Sequence, residues 1–213
     1  YIHTFDLMLR IVRNDYNFNV GMQVIPQQTK FVQHYQGVNT DTVRNVTNIT
    51  PTADFRWKIS KQSQLRFNYR GRSSQPSMTD LLDIVDDSDP LRITRGNPGL
   101  KPSFSNNLML FYNNYIQKHQ RSVMANVFFN TTSNSVSQMV TYDPTTGGQT
   151  SRPENINGNW NINSGFMFNT ALDSLGLFYV NTMTDFGYSH NVSYLNLNRS
   201  ETAQKNSVNT TSV

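Results

Sequence analysis

The chain has 213 residues with 18 Lys and Arg against 14 Asp and Glu, a net charge of +4 and a pI of about 9.4. That length suits one all-β domain or part of a larger barrel, and so mild a charge, with basic residues gathered only locally, does not make the concentrated basic face of a nucleic-acid binder. Hydrophobic residues are only 36% while aromatics reach 12%, 27 residues are Asn, and there is no Cys. A thin apolar skin with aromatic ends fits this better than a thick aliphatic core, and disulfides and thiol chemistry are excluded. The longest apolar run, Leu108 to Tyr112, falls far short of the roughly 20 residues a membrane helix needs.

In chain order, the first predicted strand covers about Ile2 to Arg13, with Phe5, Leu7, Leu9 and Ile11 on one face. The second, Tyr16 to Ile25, has Tyr16, Phe18, Val20, Met22 and Val24 apolar and polar residues or Gly between them. Such period-two alternation marks a strand with one apolar and one wet face. Apolar positions are odd in one strand and even in the next, so the connection holds an even number of residues, and Asn14-Asp15 supplies a two-residue turn. That register pairs Ile11 with Phe18, Leu9 with Val20, Leu7 with Met22 and Phe5 with Val24.

Residues 26–45 are polar and aperiodic and are expected to be a long loop. A third strand runs to about Ser60, with Phe55, Trp57 and Ile59 apolar and Asp54, Arg56 and Lys58 wet; a fourth covers Gln64 to Gly71, with Leu65, Phe67 and Tyr69 apolar. A Lys61-Gln62-Ser63 turn pairs Ile59 with Leu65, Trp57 with Phe67 and Phe55 with Tyr69, and sets Asp54 against Arg70 and Lys58 against Arg66. Residues 72–104 form a second excursion, with a short helix over Met78 to Val85 capped by Ser77. A fifth strand spans about Ser105 to Ile116, its apolar face ambiguous. A sixth covers Ser122 to Asn130, and a long loop follows over about 131–155. The seventh is Ile156 to Thr170 and the eighth Leu177 to Tyr188; after a loop over about 189–205, a ninth begins near Lys205. The expected fold is an all-β antiparallel up-and-down meander of eight or nine strands, part of a larger transmembrane β-barrel. Short and long connections alternate, as in outer-membrane barrels. The chain opens at Tyr1 and closes at Val213 within a predicted strand, so both ends are expected to continue in a longer protein.

Two stretches carry a family resemblance. One is Leu65-Arg66-Phe67-Asn68-Tyr69-Arg70-Gly71, followed by Gln75-Pro76-Ser77 and Leu81. The other is Asp89-Pro90-Leu91 and then Gly96-Asn97-Pro98-Gly99-Leu100-Lys101-Pro102-Ser103. The chain resembles the barrel region of TonB-dependent-receptor-like outer-membrane β-barrel proteins, whose comparable segment commonly has Glu where Ser103 stands. Asn155-Ile156-Asn157-Gly158 is similar to the same pattern. The resemblance implies a segment of an uptake barrel for a bulky solute in the outer membrane of a Gram-negative bacterium. Implied partners are membrane lipid, further barrel strands, a plug, a TonB-type energy-coupling protein and a surface lipoprotein. Neither a plug nor an energy-coupling box is visible in these residues. In the motif itself, Pro98 and Pro102 fix φ and extend the residues before them, while Gly96 and Gly99 permit a bend, so the segment reads as a rigid lead-in to a strand.

In a barrel, Phe5, Leu7, Leu9, Phe18, Val20, Phe55, Trp57 and Phe67 face lipid, and Arg56, Lys58, Arg66 and Arg70 form a basic patch on the lumen side. Trp57, Tyr69, Trp160, Tyr179 and Tyr188 suit an aromatic girdle. His3, His34, His119 and His190 lie in separate elements, and Asp80, Asp83, Asp86, Asp87 and Asp89 match no calcium-loop spacing. No nucleophile, base and orienting group stand together, so no enzyme and no cofactor are expected. The alternative reading is a soluble all-β sandwich serving as a surface binding or adhesion module. The two differ in where the apolar face points.

Overall fold

A computed structural model of the protein describes residues 4–35, 38–82, 85–195 and 198–212. Thirteen strands run in chain order: β1 Phe5–Val12, β2 Tyr16–Tyr35, β3 Val38–Lys58, β4 Ser63–Ser74, β5 Val85–Asp86, β6 Arg92–Arg95, β7 Ser103–Ile116, β8 Arg121–Ser133, β9 Ser135–Tyr142, β10 Gln149–Ile156, β11 Asn159–Ala171, β12 Tyr179–Leu195 and β13 Asn198–Ser212. Nine of them, β1-β2-β3-β4-β7-β8-β11-β12-β13, form one antiparallel meander, and β5-β6-β10-β9 form a small second sheet. Within the described residues the large sheet is open, with β1 and β13 at its edges.

The first hairpin has the register its alternation predicts, with Phe5 opposite Val24, Leu7 opposite Met22, Leu9 opposite Val20 and Ile11 opposite Phe18. The Arg13 N–H donates to Tyr16 O at 2.8 Å and closes the two-residue turn. The β3–β4 register differs from expectation by two residues. Trp57 lies opposite Leu65, Phe55 opposite Phe67, Asp54 opposite Asn68, Arg56 opposite Arg66 and Lys58 opposite Gln64. A shift of two keeps every side chain on its own face, so alternation cannot detect it. Turn chemistry settles it: Ser60 N–H donates to Ser63 O at 3.2 Å, and Ser60 Oγ accepts from Gln62 N–H at 3.1 Å.

The expected loops at 26–45 and 189–205 are in large part strand. β2 continues to Tyr35 against β3, and β12 continues to Leu195 against β13. Most residues there are polar and the apolar ones, such as Val32, Val43 and Val192, are too few and scattered to set up a long alternation, while backbone pairing proceeds regardless of side-chain polarity. The tips at 36–37 and 196–197 lie outside the described residues.

The expected loop at 131–155 is a hairpin, β9 with β10, and it extends the β8–β11 pair in the same frame: Asn159 faces Thr132 below the break and Ile156 faces Ser135 above it. The break falls at Asn134 (φ 51°) and Gly158 (φ 115°), where the Asn134 N–H donates to Asn157 Oδ1 at 2.6 Å. Beyond it β10 pairs in parallel with β6 over Gln149 to Ser151. Pro153 follows that pairing, so its missing N–H costs no bond to β6. The helix in the other excursion is a single turn, α1 Met78–Leu81, with the Asp80 N–H donating to Ser77 Oγ at 3.1 Å.

The short connections share one end of the meander and the long excursions the other. The three buried apolar side chains among the described residues, Leu100, Ile156 and Val192, all belong to the junction between the small sheet and that far end. No large side chain anywhere in the described structure is fully buried.

Candidate functional site

Alternation carries one set of side chains across the whole large sheet. On the apolar face Phe18, Phe55, Phe67, Leu110 and Val127 stand opposite one another in turn. The Phe18 and Phe55 rings meet edge-on at 6.3 Å. Phe5, Leu7, Leu9 and Val20 share this face, and so does Trp57, opposite Tyr16 and Leu65. Phe5 is 64%, Leu7 72% and Leu9 60% exposed. The ambiguous strand resolves here: Leu108, Leu110 and Tyr112 fall on the apolar face and Met109 and Phe111 on the other, because their partners on β4 fix them.

At the far end of the apolar face Trp160 stacks on Tyr188 with centroids 5.0 Å apart and on His190 at 6.0 Å. His190 Nδ1 lies 2.8 Å from Gly158 O. Tyr179 is a correction to the expected aromatic set. It pairs with Ala171, one residue out of phase with Thr170 and Phe168, so it shares the polar face and its hydroxyl donates to Gln120.

The polar face carries the candidate site. One cross-sheet row reads Val12, Asn17, Arg56, Arg66, Phe111, Asn126, Gly165 and Asp185; its neighbour reads Arg10, Asn19, Asp54, Asn68, Met109, Phe128, Asn163 and Gly187. The two rows enclose a hollow of about 400 Å3 lined by Arg10, Asn17, Asp54, Arg56, Arg66 and Asn68 among others. A second hollow of about 340 Å3, with Asn126, Asn163 and Asp185, lies further along the same rows. Asn68 Nδ2 donates to Asp54 Oδ1. With its amide oxygen turned toward the guanidinium, Gln64 accepts from Arg66 Nη2 at 2.8 Å.

Of the four basic residues singled out from sequence, the structure brings together Arg56 and Arg66. Lys58 lies opposite Gln64 beside the first turn, where its N–H donates to Asp15 O at 2.7 Å. Arg70 faces Thr52 and Asn107 and has no Asp54 opposite it. Arg10 and Asn17 join the site unannounced. Their parity was readable, but their place beside Arg56 and Asp54 depends on the β2–β3 register, set across a hairpin whose outer half has no alternation.

The Gly96-to-Pro102 motif holds the two sheets together. Gly96 is buried, and a Cβ there would stand 1.7 Å from Leu82 O, which leaves room only for glycine. Asn97, 5% exposed, donates from Nδ2 to Pro153 O at 2.9 Å, and its Oδ1 accepts from Arg152 Nη2 and Gly99 N–H, each at 3.0 Å. Leu100 is buried, while Pro98, Lys101 and Pro102 are exposed. The Lys101 N–H donates to Asn155 Oδ1 at 2.7 Å, and Asn155 Nδ2 returns a bond to Lys101 O at 3.0 Å. This is the chemistry of a clasp: each buried polar atom of Asn97 has a partner.

The acidic residues of the same excursion are used locally. Asp80 Oδ2 accepts from Ser77 Oγ at 2.6 Å, and Asp89 Oδ1 accepts from Leu91 N–H at 3.0 Å. Asp83 and His3 lie outside the described residues, as do the side chains of His34 and His119. Two turn carboxylates are held below the usual carboxylate range by hydrogen bonds to the charged form. For Asp173 these come first from Phe178 N–H and then from Leu177 N–H; for Asp143 they come first from Thr145 N–H and then from the Thr146 hydroxyl.

No helix among the described residues is long and apolar enough to cross a membrane, which leaves spanning by strands open. A model of the outer membrane protein beta-barrel family matches residues 12–213. No curated protein matches the chain.

Proposed function

The chain belongs to the outer membrane protein beta-barrel family, and from that premise we propose that it forms part of the wall of a Gram-negative uptake barrel, with its apolar face on lipid and its polar face on an aqueous route for a bulky solute. The single observation that carries this reading is the exposure of the apolar face. Phe5, Leu7, Leu9, Val20, Trp57 and Leu110 are exposed and Phe18, Phe55 and Phe67 half-buried, and an apolar face that no second layer covers calls for hydrocarbon. A sandwich would lay a second sheet across it. The second sheet here is four-stranded and meets the large sheet at the far ends of β7 and β12.

The open edges at β1 and β13 call for further strands, because unpaired backbone groups are not tolerated in lipid. Those strands, together with a plug, complete the barrel in this reading. Its resemblance to TonB-dependent receptors supports energy coupling through a TonB-type protein and a surface lipoprotein at the long-loop end. The proposed work of the polar face is passage of a solute along its row of Asn and Arg side chains.

Both tryptophans, Trp57 and Trp160, lie on the apolar face, which makes the orientation measurable. In vesicles of lipid brominated along the acyl chain, the fluorescence of the full-length protein should be quenched, and a Trp160→Phe variant should keep the part due to Trp57. Unquenched tryptophans in a protein that stays monomeric in plain buffer would sink the reading. The energy-coupling component is tested by binding of the full-length protein to the periplasmic domain of a TonB-type protein; no binding removes that component and leaves a passive barrel.

A further inference from the structure

The hollow between β1 and β4 holds more positive charge than its own surroundings neutralise. Arg56 and Arg66 stand directly opposite each other on β3 and β4, where Cβ atoms are about 4.5–5.5 Å apart and like charges repel. Arg10 reaches the same hollow from the adjacent row. Among the described residues none of the three forms an ion pair. Asp54 also lines the hollow, but its Oδ1 is occupied by Asn68. Three guanidinium groups against one carboxylate leave the hollow two charges positive. The second hollow along the wall contains Asp185 and no cation, so the charge is localised and not a general property of the face.

A pair of facing guanidiniums finds its partner in an oxyanion, whose oxygens match the N–H forks and cancel the repulsion. We propose that this hollow binds the oxyanion of a small anionic solute, a phosphate or sulfate group or a cluster of carboxylates. Arg56 and Arg66 span the group, Arg10 adds a third cation, and the Asn17 and Asn68 amides donate at its margin. The inference deepens the uptake reading and rests on it for placing the site along a solute's route; binding itself is a property of the hollow.

The test is isothermal titration calorimetry on the full-length protein in detergent micelles, with citrate, inorganic phosphate and neutral maltotriose as probes. Citrate or phosphate should bind saturably and maltotriose should not, and whether citrate or phosphate binds more tightly separates a carboxylate source from a phosphate one. Arg56→Gln with Arg66→Gln should weaken the anion at least about tenfold, since hydrogen bonds to charged groups are lost at both residues. Asp54→Asn, which removes the opposing charge, should tighten it and serves if the double variant does not fold. Absence of saturable anion binding, or the same affinity in the arginine and Asp54 variants as in the unaltered protein, overturns the site. Because lipid quenching of Trp57 is read separately, that result leaves the uptake reading standing, and loss of quenching with anion binding intact does the reverse.

Discussion

The junction of the two sheets and the wall of the large sheet use similar apolar residues and treat them in opposite ways. At the junction Leu100 and Ile156 are each 4% exposed, and the buried Asn97 has every side-chain polar atom bonded. On the wall Leu7 and Leu9 are 72% and 60% exposed. The junction is a small core closed by its own chain. The wall has no protein over its apolar side among the described residues, as the proposed place in a lipid-facing barrel requires. Apolar residues in this protein therefore have two fates, burial or exposure, set by whether the chain folds back over them.

That contrast can be broken most severely on the wall. Leu110→Arg, in mid-β7 on the apolar face, should destabilise the lipid-embedded protein by about 2–4 kcal/mol, the usual cost of a charge on the lipid face near mid-membrane. Met109→Arg, one residue away on the polar face, should cost under about 1 kcal/mol, since lumen positions meet water. Reversible denaturant unfolding in lipid vesicles measures both, and equal costs would mean that the two faces see the same solvent.

A smaller effect is expected at the junction. Asn97→Ala removes three hydrogen bonds at a buried position and should cost about 1–3 kcal/mol, confined to docking of the small sheet. Amide exchange should accelerate at Lys101 and Val192, whose N–H groups donate to Asn155 and Asn159, while amides in the middle of β7 keep their protection. Uniform acceleration would show that the junction and wall unfold as one unit.

The smallest effect is at the rim. Asp173 has a folded pKa below its ordinary value of 3.8, chiefly because Phe178 N–H bonds its carboxylate. Its contribution is therefore complete above pH 3.8 and is lost as pH falls through the lower folded value. Exchange at Leu177 and Phe178 should rise selectively in that acid range, and Asp173→Asn should abolish the pH dependence. A response already present at neutral pH would assign the transition to another group.

Legibility followed the same division. The β1–β2 hairpin was readable to the residue, because alternation and a two-residue turn agree there. The face of Arg56 and Arg66 was readable; their facing one another was not, since a two-residue slip preserves parity. The strands beyond Pro26 were hidden because neither face is apolar. The β9–β10 hairpin was hidden because β10, Gln149–Ile156, is polar up to Ile156 and contains Pro153, so the short apolar pattern of β9 finds no matching partner in sequence, although the hairpin continues the frame of β8 and β11 past Asn134 and Gly158. The motif at Gly96–Pro102 was visible as a rigid segment, but its clasp on Pro153 and Asn155 spans more than fifty residues of sequence and depends on a break and a parallel pairing that no local pattern records.

By itself the sequence determined that this chain is an antiparallel meander and which side of each apolar-patterned strand is oily, because side-chain direction in a strand follows from residue parity alone. Only the tertiary structure decided which cations share a hollow, how far the strands run past their apolar stretch, and where a small core closes. Those depend on register, turn geometry and contacts between distant segments, which backbone hydrogen bonding fixes after the faces have been assigned.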